Sequence, residues 1–158
     1  MTGRDEIFTK LTRRAAAAAV LGALPALAQA EIVRVPSAKP VAETADAFVA
    51  ALDPAGITVF ARIDHGAGAV SVGSDIGASE LIVFGSPEVG TPALVDNRLA
   101  GLALPLRVLV YEDAEGEVWL AFEDPSAMLA GFDGIAADAP YVARMTGALA
   151  KLTARAAE

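Results

Sequence analysis

Hydrophobic positions along this chain switch between two periods, and the switches mark out its elements. Residues 31–37 (EIVRVPS) alternate apolar and polar as an edge strand does, and Pro36 closes it. The pattern then turns helical. Val41, Ala45, Phe48, Val49 and Leu52 fall on one face, with Ser37 as candidate N-cap and Asp53-Pro54, followed by Gly56, as the stop. Alternation returns from Ile57 to Asp64 and again in residues 79–87 (SELIVFGSP), a third strand broken by Gly85 and Pro87. A second helix is expected over Thr91–Ala100, with Pro92 in its first turn and Gly101 past its end. The clearest unit is LRVLVYEDAEGEVWLAFEDP, two alternating runs around Asp113-Ala114-Glu115-Gly116, which predicts a hairpin. A short helical piece follows at Ser126–Leu129. A C-terminal helix then starts at Pro140, with Asp138 as its cap. The glycine-rich GAGAVSVG after the second strand supports no more than a short helical turn.

The order β-α-β-β-α-β-β-α, without repeats or a linker, predicts a single α+β domain. It is expected to be a two-layer sandwich, with a mostly antiparallel sheet of about five strands and helices on one face. Strict alternation sets Ile57, Val59, Ala61, Ile63 and His65 on one side, and Thr58, Phe60, Arg62 and Asp64 on the other. In the hairpin, Leu106, Val108, Val110, Val118, Leu120 and Phe122 form an aliphatic face that should lie under the helices. The opposite face, away from the helices, is expected to mix Phe60, Leu109, Tyr111 and Trp119 with Arg62, Arg107 and Glu117, too apolar for water and too polar for a core.

The first 30 residues have another character. A polar segment ends in Arg13-Arg14, an apolar run spans Ala15–Ala28, and Ala28-Gln29-Ala30 has the small-x-small form of a cleavage site. That is the build of a secretory signal peptide, and the apolar run falls short of the ~20 residues a membrane span needs. The arginine pair resembles a twin-arginine leader, but Ala16 and Ala17 stand where bulky residues are usual, so both export routes stay open. The leader holds four of the 12 basic and two of the 20 acidic residues, so residues 31–158 carry a net charge of −10. Such a balance excludes the basic footprint of a nucleic-acid or anionic-membrane binder. The absence of cysteine excludes disulfides, thiolate nucleophiles and iron–sulfur ligation. No cofactor is expected.

Candidate chemistry is sparse. His65 is the only histidine, and a metal site needs three or four converging ligands. Asp64 beside it points the other way in a regular strand. A strand-end residue, a ligand-pocket residue, a metal ligand and a general base all remain open for His65. The glycines at 66, 68 and 73 miss the dinucleotide fingerprint, and Ser74-Asp75 replaces the lysine of a phosphate-binding loop. No serine occupies a G-x-S-x-G elbow. The acidic cluster around Asp113 lies on a tight hairpin rather than in a calcium-binding loop between helices.

Three blocks, GITVFARIDHGAGA, ELIVFGSPEVGTP and LPLRVLVYEDAEGEVWLAFEDPS, resemble in order and spacing the bacterial family of domain of unknown function 302 over about residues 33–150. Ser86 departs from the family's frequent asparagine, and Phe122-Glu123 from a more polar pair. The resemblance implies a small two-layer α+β domain, often homodimeric, and no reaction. The resulting expectation is an exported, non-enzymatic accessory domain, homodimeric through or beside its mixed sheet face, taking a small ligand or partner. Arg62, Asp64, His65, Tyr111 and Trp119 are its candidate binding residues. The alternatives are a hydrolase or isomerase using His65 with a nearby carboxylate, or a metal or redox accessory protein. No nucleic acid and, after leader removal, no membrane is expected as partner. N-terminal sequencing of the exported protein should return Glu31 as its first residue; an intact Met1 or Thr2 on a cytoplasmic product would refute the leader.

Overall fold

The computed structural model describes residues 31–158, so the leader read in residues 1–30 lies outside the described residues. The alternating segments form five strands: β1 (Ile32–Ser37), β2 (Thr58–Asp64), β3 (Ser79–Gly85), β4 (Leu106–Glu112) and β5 (Val118–Glu123). They build one sheet in the order β1-β5-β4-β3-β2, and every neighbouring pair is antiparallel. Five α-helices accompany it: α1 (Val41–Leu52), α2 (His65–Ser71), α3 (Pro87–Asp96), α4 (Pro125–Leu129) and α5 (Pro140–Ala157). The α+β class, the five strands and the antiparallel sheet are as the hydrophobic pattern predicts.

The aliphatic face is buried under α1 and α5. Ile82, Phe84, Val108, Val110, Leu120 and Phe122 pack against Phe48 and Leu52 of α1 and Leu149, Leu152 and Ala156 of α5. At its centre the Phe48 and Phe84 rings meet edge to face, 5.2 Å apart, an arrangement worth about 0.5–1.5 kcal/mol beyond burial. A second, smaller core was not read from the sequence. Ala93 of α3, Ala100 of a 3₁₀ segment (Arg98–Leu102), Leu129 and Ile135 close on Val142 and Met145 of α5.

Several local expectations are corrected. α3 begins four residues before Thr91, with Ser86 as N-cap and Pro87 in the first turn, while Pro92 lies inside the helix. It ends at Asp96, and the expected end at Ala100 falls in the 3₁₀ segment. Proline suits a first helical turn because its missing N–H has no partner there anyway, and Pro87 meets that condition before Pro92 can. Ser37 is the last residue of β1 rather than a cap. Its hydroxyl bonds that of Thr44 at 2.8 Å, and Pro40 takes the N-cap place of α1. Ala139, not Asp138, precedes α5. The glycine-rich stretch does form a helix, α2, and Asp64 caps it by accepting the Ala67 N–H at 2.7 Å.

The largest correction concerns β2. Val59 pairs with Phe84 and Ala61 with Val83, so Phe60 is an extra residue in the ladder. Such a bulge reverses the alternation beyond it. Arg62 and Asp64 therefore pair with Ile82 and Glu80 and share their helix-covered side, while Ala61 and Ile63 pair with Val83 and Leu81 on the open face.

Asp124 caps α4, its carboxylate accepting the N–H groups of Ser126 at 2.9 Å and Ala127 at 3.1 Å and the hydroxyl of Ser126. Burial pushes this carboxyl up, but these hydrogen bonds outweigh it and hold it below the usual carboxylate value. A lowered carboxyl stabilises the fold above its unfolded value and loses that contribution as pH falls through its folded value. Asp124→Ala should cost about 1 kcal/mol in urea unfolding at neutral pH. The difference from wild type should shrink below about pH 4, where the unfolded carboxyl protonates.

Candidate functional site

A concavity of about 800 Å³ opens where the two cores meet. Phe84, Met145 and Leu149, all buried, form its deep part; Leu104 and Leu106, on either side of the cis Leu104–Pro105 bond, form one wall. Phe60 and Leu94 stand at its exposed rim. Two glycines shape it. A Cβ at Gly85 would lie 3.3 Å from the Phe60 ring and 3.5 Å from Pro105, so glycine lets that ring cover the end of β3. A Cβ at Gly90 would meet only the Leu104 Cδ1, at 3.9 Å, so glycine there leaves space unfilled.

Polar side chains of the groove belong to Ser86, Glu88, Thr91 and Arg144. Glu88 and Arg144 form an ion pair at 3.0 Å that links α3 to α5 at the mouth, with both side chains largely exposed. A second tie joins the other end of α3 to α5: the Tyr141 hydroxyl donates to Asp96 at 2.6 Å, which pushes the phenol up to about 12. The groove can enclose an apolar body, but it contains no imidazole and no pair of facing carboxylates for acid–base work.

The five sequence-predicted residues do not gather in this groove or in one place. Arg62 bridges Asp46 of α1 (Nη1–Oδ1, 2.8 Å) and Glu80 of β3, and these hydrogen bonds, Glu80's above all, raise its already high value. Asp64 is the cap of α2, and His65 is the exposed first residue of that helix. The expected continuation of β2 alternation through His65 therefore ends at Asp64. Tyr111 and Trp119 are cross-strand partners on β4 and β5, on the opposite face of the sheet. The Trp119 Nε1–H donates to Asp113 at 2.7 Å, and the Arg34 guanidinium lies 5.9 Å from the centre of the Tyr111 ring. Asp113 also accepts the N–H groups of Glu117 and Glu115; the Glu117 bond, then that of Trp119, holds it below the usual value, which makes it the organiser of the hairpin turn. Glu117 itself lies in the turn, outside the strand. Among the described residues no three histidine, cysteine, aspartate or glutamate side chains are placed to hold a metal ion.

The open sheet face has a regular layout. Its middle row reads Arg34, Ala121, Leu109, Leu81, Ile63 across the five strands. On one side of that row Arg107 pairs with Glu123 at 2.8 Å; on the other stand Tyr111 and Trp119. A shallow hollow of about 270 Å³ lies over Leu81, Leu109 and Ala121, between Arg34 and Arg107.

A five-stranded antiparallel sheet with helices over one face and an apolar groove at its end defines a small α+β domain. The fold is similar to that of a crystal structure of an uncharacterized conserved DUF302 protein from Bacillus stearothermophilus, with a TM-score of 0.63, 17% identity, and 80% of this chain and 94% of that one covered. Residues 33–152 match the family described as domain of unknown function DUF302, and the chain belongs to it. Among curated proteins, the chain is 41% identical over 117 residues to "Fluoride-specific ion channel FluC 1" of Brucella suis biovar 1 (strain 1330), which covers 73% of this chain and 46% of that protein. The namesake from Brucella abortus biovar 1 (strain 9-941) is also 41% identical over 117 residues, 43% of its length. The chain thus spans less than half of these relatives. No helix among the described residues is long and apolar enough to cross a membrane.

The contrasting roles of Asp64 and His65 can be separated by mutation. Asp64→Ala should lose about 0.5–1 kcal/mol of stability, because it leaves an N-terminal N–H of α2 without its acceptor. His65→Asn should stay within about 0.5 kcal/mol, as exposed substitutions do. Urea unfolding followed by circular dichroism measures both.

Proposed function

We propose that this chain is an exported, non-catalytic binding domain that works as a homodimer, holding a small apolar ligand in the groove between its two cores. The observation that carries the reading is the groove itself: a largely apolar hollow of about 800 Å³ whose two charged side chains, Glu88 and Arg144, are exposed. That volume lies within the ~300–1,000 Å³ typical of ligand pockets. The chain's polar side chains elsewhere cap helices and close turns, as Asp64, Asp113 and Asp124 do, which favours binding over acid–base catalysis.

Dimerisation is supported by the open sheet face. Leu109 and Leu81 occupy its centre and Arg34, Arg107 and Glu123 surround them, the apolar-core, polar-rim layout of a protein interface. Leu81 and Leu109 are half-buried in the single chain, so covering them would contribute only part of the ~1.5–3 kcal/mol of a fully buried leucine, while Ile63 at the end of the row is exposed. The accessory role is supported by the Brucella relatives. Their names describe a channel, yet the part they share with this chain is similar to a domain whose described residues include no membrane-crossing helix. We read that part as a companion to the channel portion.

Nile red, a neutral apolar dye, should bind the wild type and the Leu109→Glu variant alike and lose its fluorescence enhancement with Gly90→Phe, which fills the groove. In sedimentation the wild type should be a dimer at micromolar concentration and Leu109→Glu a monomer. Dye binding undiminished in Gly90→Phe would refute the groove; a monomeric wild type would refute the dimer.

A further inference from the structure

The buried lining of the groove is apolar and its charged pair is exposed, and that contrast restricts the ligand further. Its deep residues, Phe84, Met145 and Leu149, present no hydrogen-bonding side chain, so a polar ligand group placed there would lose water without compensation. A ligand that fills the groove therefore has an apolar chain or ring body inside. Any charge it carries must stay at the mouth, where Glu88 and Arg144 meet.

We propose that the ligand is an amphipathic carboxylate, whose head displaces Glu88 from Arg144 while its apolar part fills the groove; this rests on the binding reading above. Three observations point to an anion rather than a cation. First, the guanidinium of Arg144 already holds a carboxylate at 3.0 Å, and that carboxylate comes from a side chain 56 residues away in sequence. The Nη1–H that donates to Glu88 Oε1 can donate equally to a ligand carboxylate, and the planar guanidinium has further N–H groups for its second oxygen. Second, the exchange costs little. The two side chains are 59% and 74% exposed, and exposed pairs contribute only about 0–1 kcal/mol. Glu88 can return to water and no buried charge is stranded. Third, Glu88 stands in the first turn of α3, where the helix favours negative charge and disfavours positive. A ligand cation coming to Glu88 would meet both that end and Arg144. The net charge of residues 31–158 opposes anions at long range, but salt screens that field beyond about 8–10 Å.

The test uses probes with one chain and three heads: laurate, dodecanol and dodecyltrimethylammonium, each below its micelle concentration, titrated calorimetrically into the purified protein. Laurate should bind about two- to fivefold more tightly than dodecanol, within the ~0–1 kcal/mol that an exposed pair contributes, and dodecyltrimethylammonium most weakly. Arg144→Gln should remove the preference for laurate and leave dodecanol unchanged. Glu88→Gln should tighten laurate severalfold by removing the competing carboxylate, which a merely structural ion pair would not do. Equal binding of laurate and dodecanol, or an Arg144→Gln variant that keeps the preference, would overturn the carboxylate head and leave the groove reading intact. Tightest binding by dodecyltrimethylammonium would do the same. Failure of all three to bind would overturn both.

Discussion

One apolar stripe holds the molecule together. Along α5, Val142, Met145, Leu149, Leu152 and Ala156 recur at alternating steps of three and four residues, the spacing that keeps side chains on one helical face. The later residues of the stripe close the main core over the sheet; the earlier ones close the small core with α3, α4 and the 3₁₀ segment. The single polar intrusion is Thr153, fully buried, and its hydroxyl donates to the Leu149 carbonyl at 2.8 Å, so no partner is lost. The groove is a consequence of this sharing. Where the stripe passes from one core to the other, at Met145, Ala148 and Leu149, neither core fills the space beside it.

The same economy explains why the charged residues offer so little chemistry. Arg62 ties α1 to the sheet, Asp64 and Asp124 start helices, and Asp113 gathers two backbone N–H groups and an indole N–H into the hairpin. Asp113 and Asp124 are held below the usual carboxylate value by hydrogen bonds that stabilise their charged forms, which makes them poor bases. The pair between Glu88 and Arg144 differs: it is exposed, joins two helices rather than building one, and sits over a hollow.

Much of the fold is legible in the sequence because burial imposes a period. The strands, α1 and the hairpin all follow from alternation or helical spacing. What the sequence hides are features without a period. A bulge is one surplus residue, and nothing in TVFARID marks Phe60 as that residue until its partners on β3 are known. α3 carries two prolines, each compatible with a first turn, and only the end of β3 at Gly85 makes Pro87 the starting one. α2 is glycine-rich, and its start is set by the Asp64 cap rather than by propensity. Least visible is the groove, because its lining comes from β2, β3, α3, the segment around Pro105 and α5, segments that no local pattern joins. Its one trace is the GSPEVGTP block, whose Gly85 admits the Phe60 ring at the rim and whose Gly90 leaves space unfilled.

The two borders of the sheet carry irregularities of different kinds. At one, Pro36 interrupts the row of N–H donors on β1; at the other, the surplus Phe60 breaks the regular spacing of β2. Another strand seeking to extend the sheet would meet a missing donor on one flank and a twisted, mismatched ladder on the other, the devices by which native sheets resist lateral growth. The sheet is thereby a closed set of five strands, each flank guarded against a sixth by a different flaw in its hydrogen-bonding row.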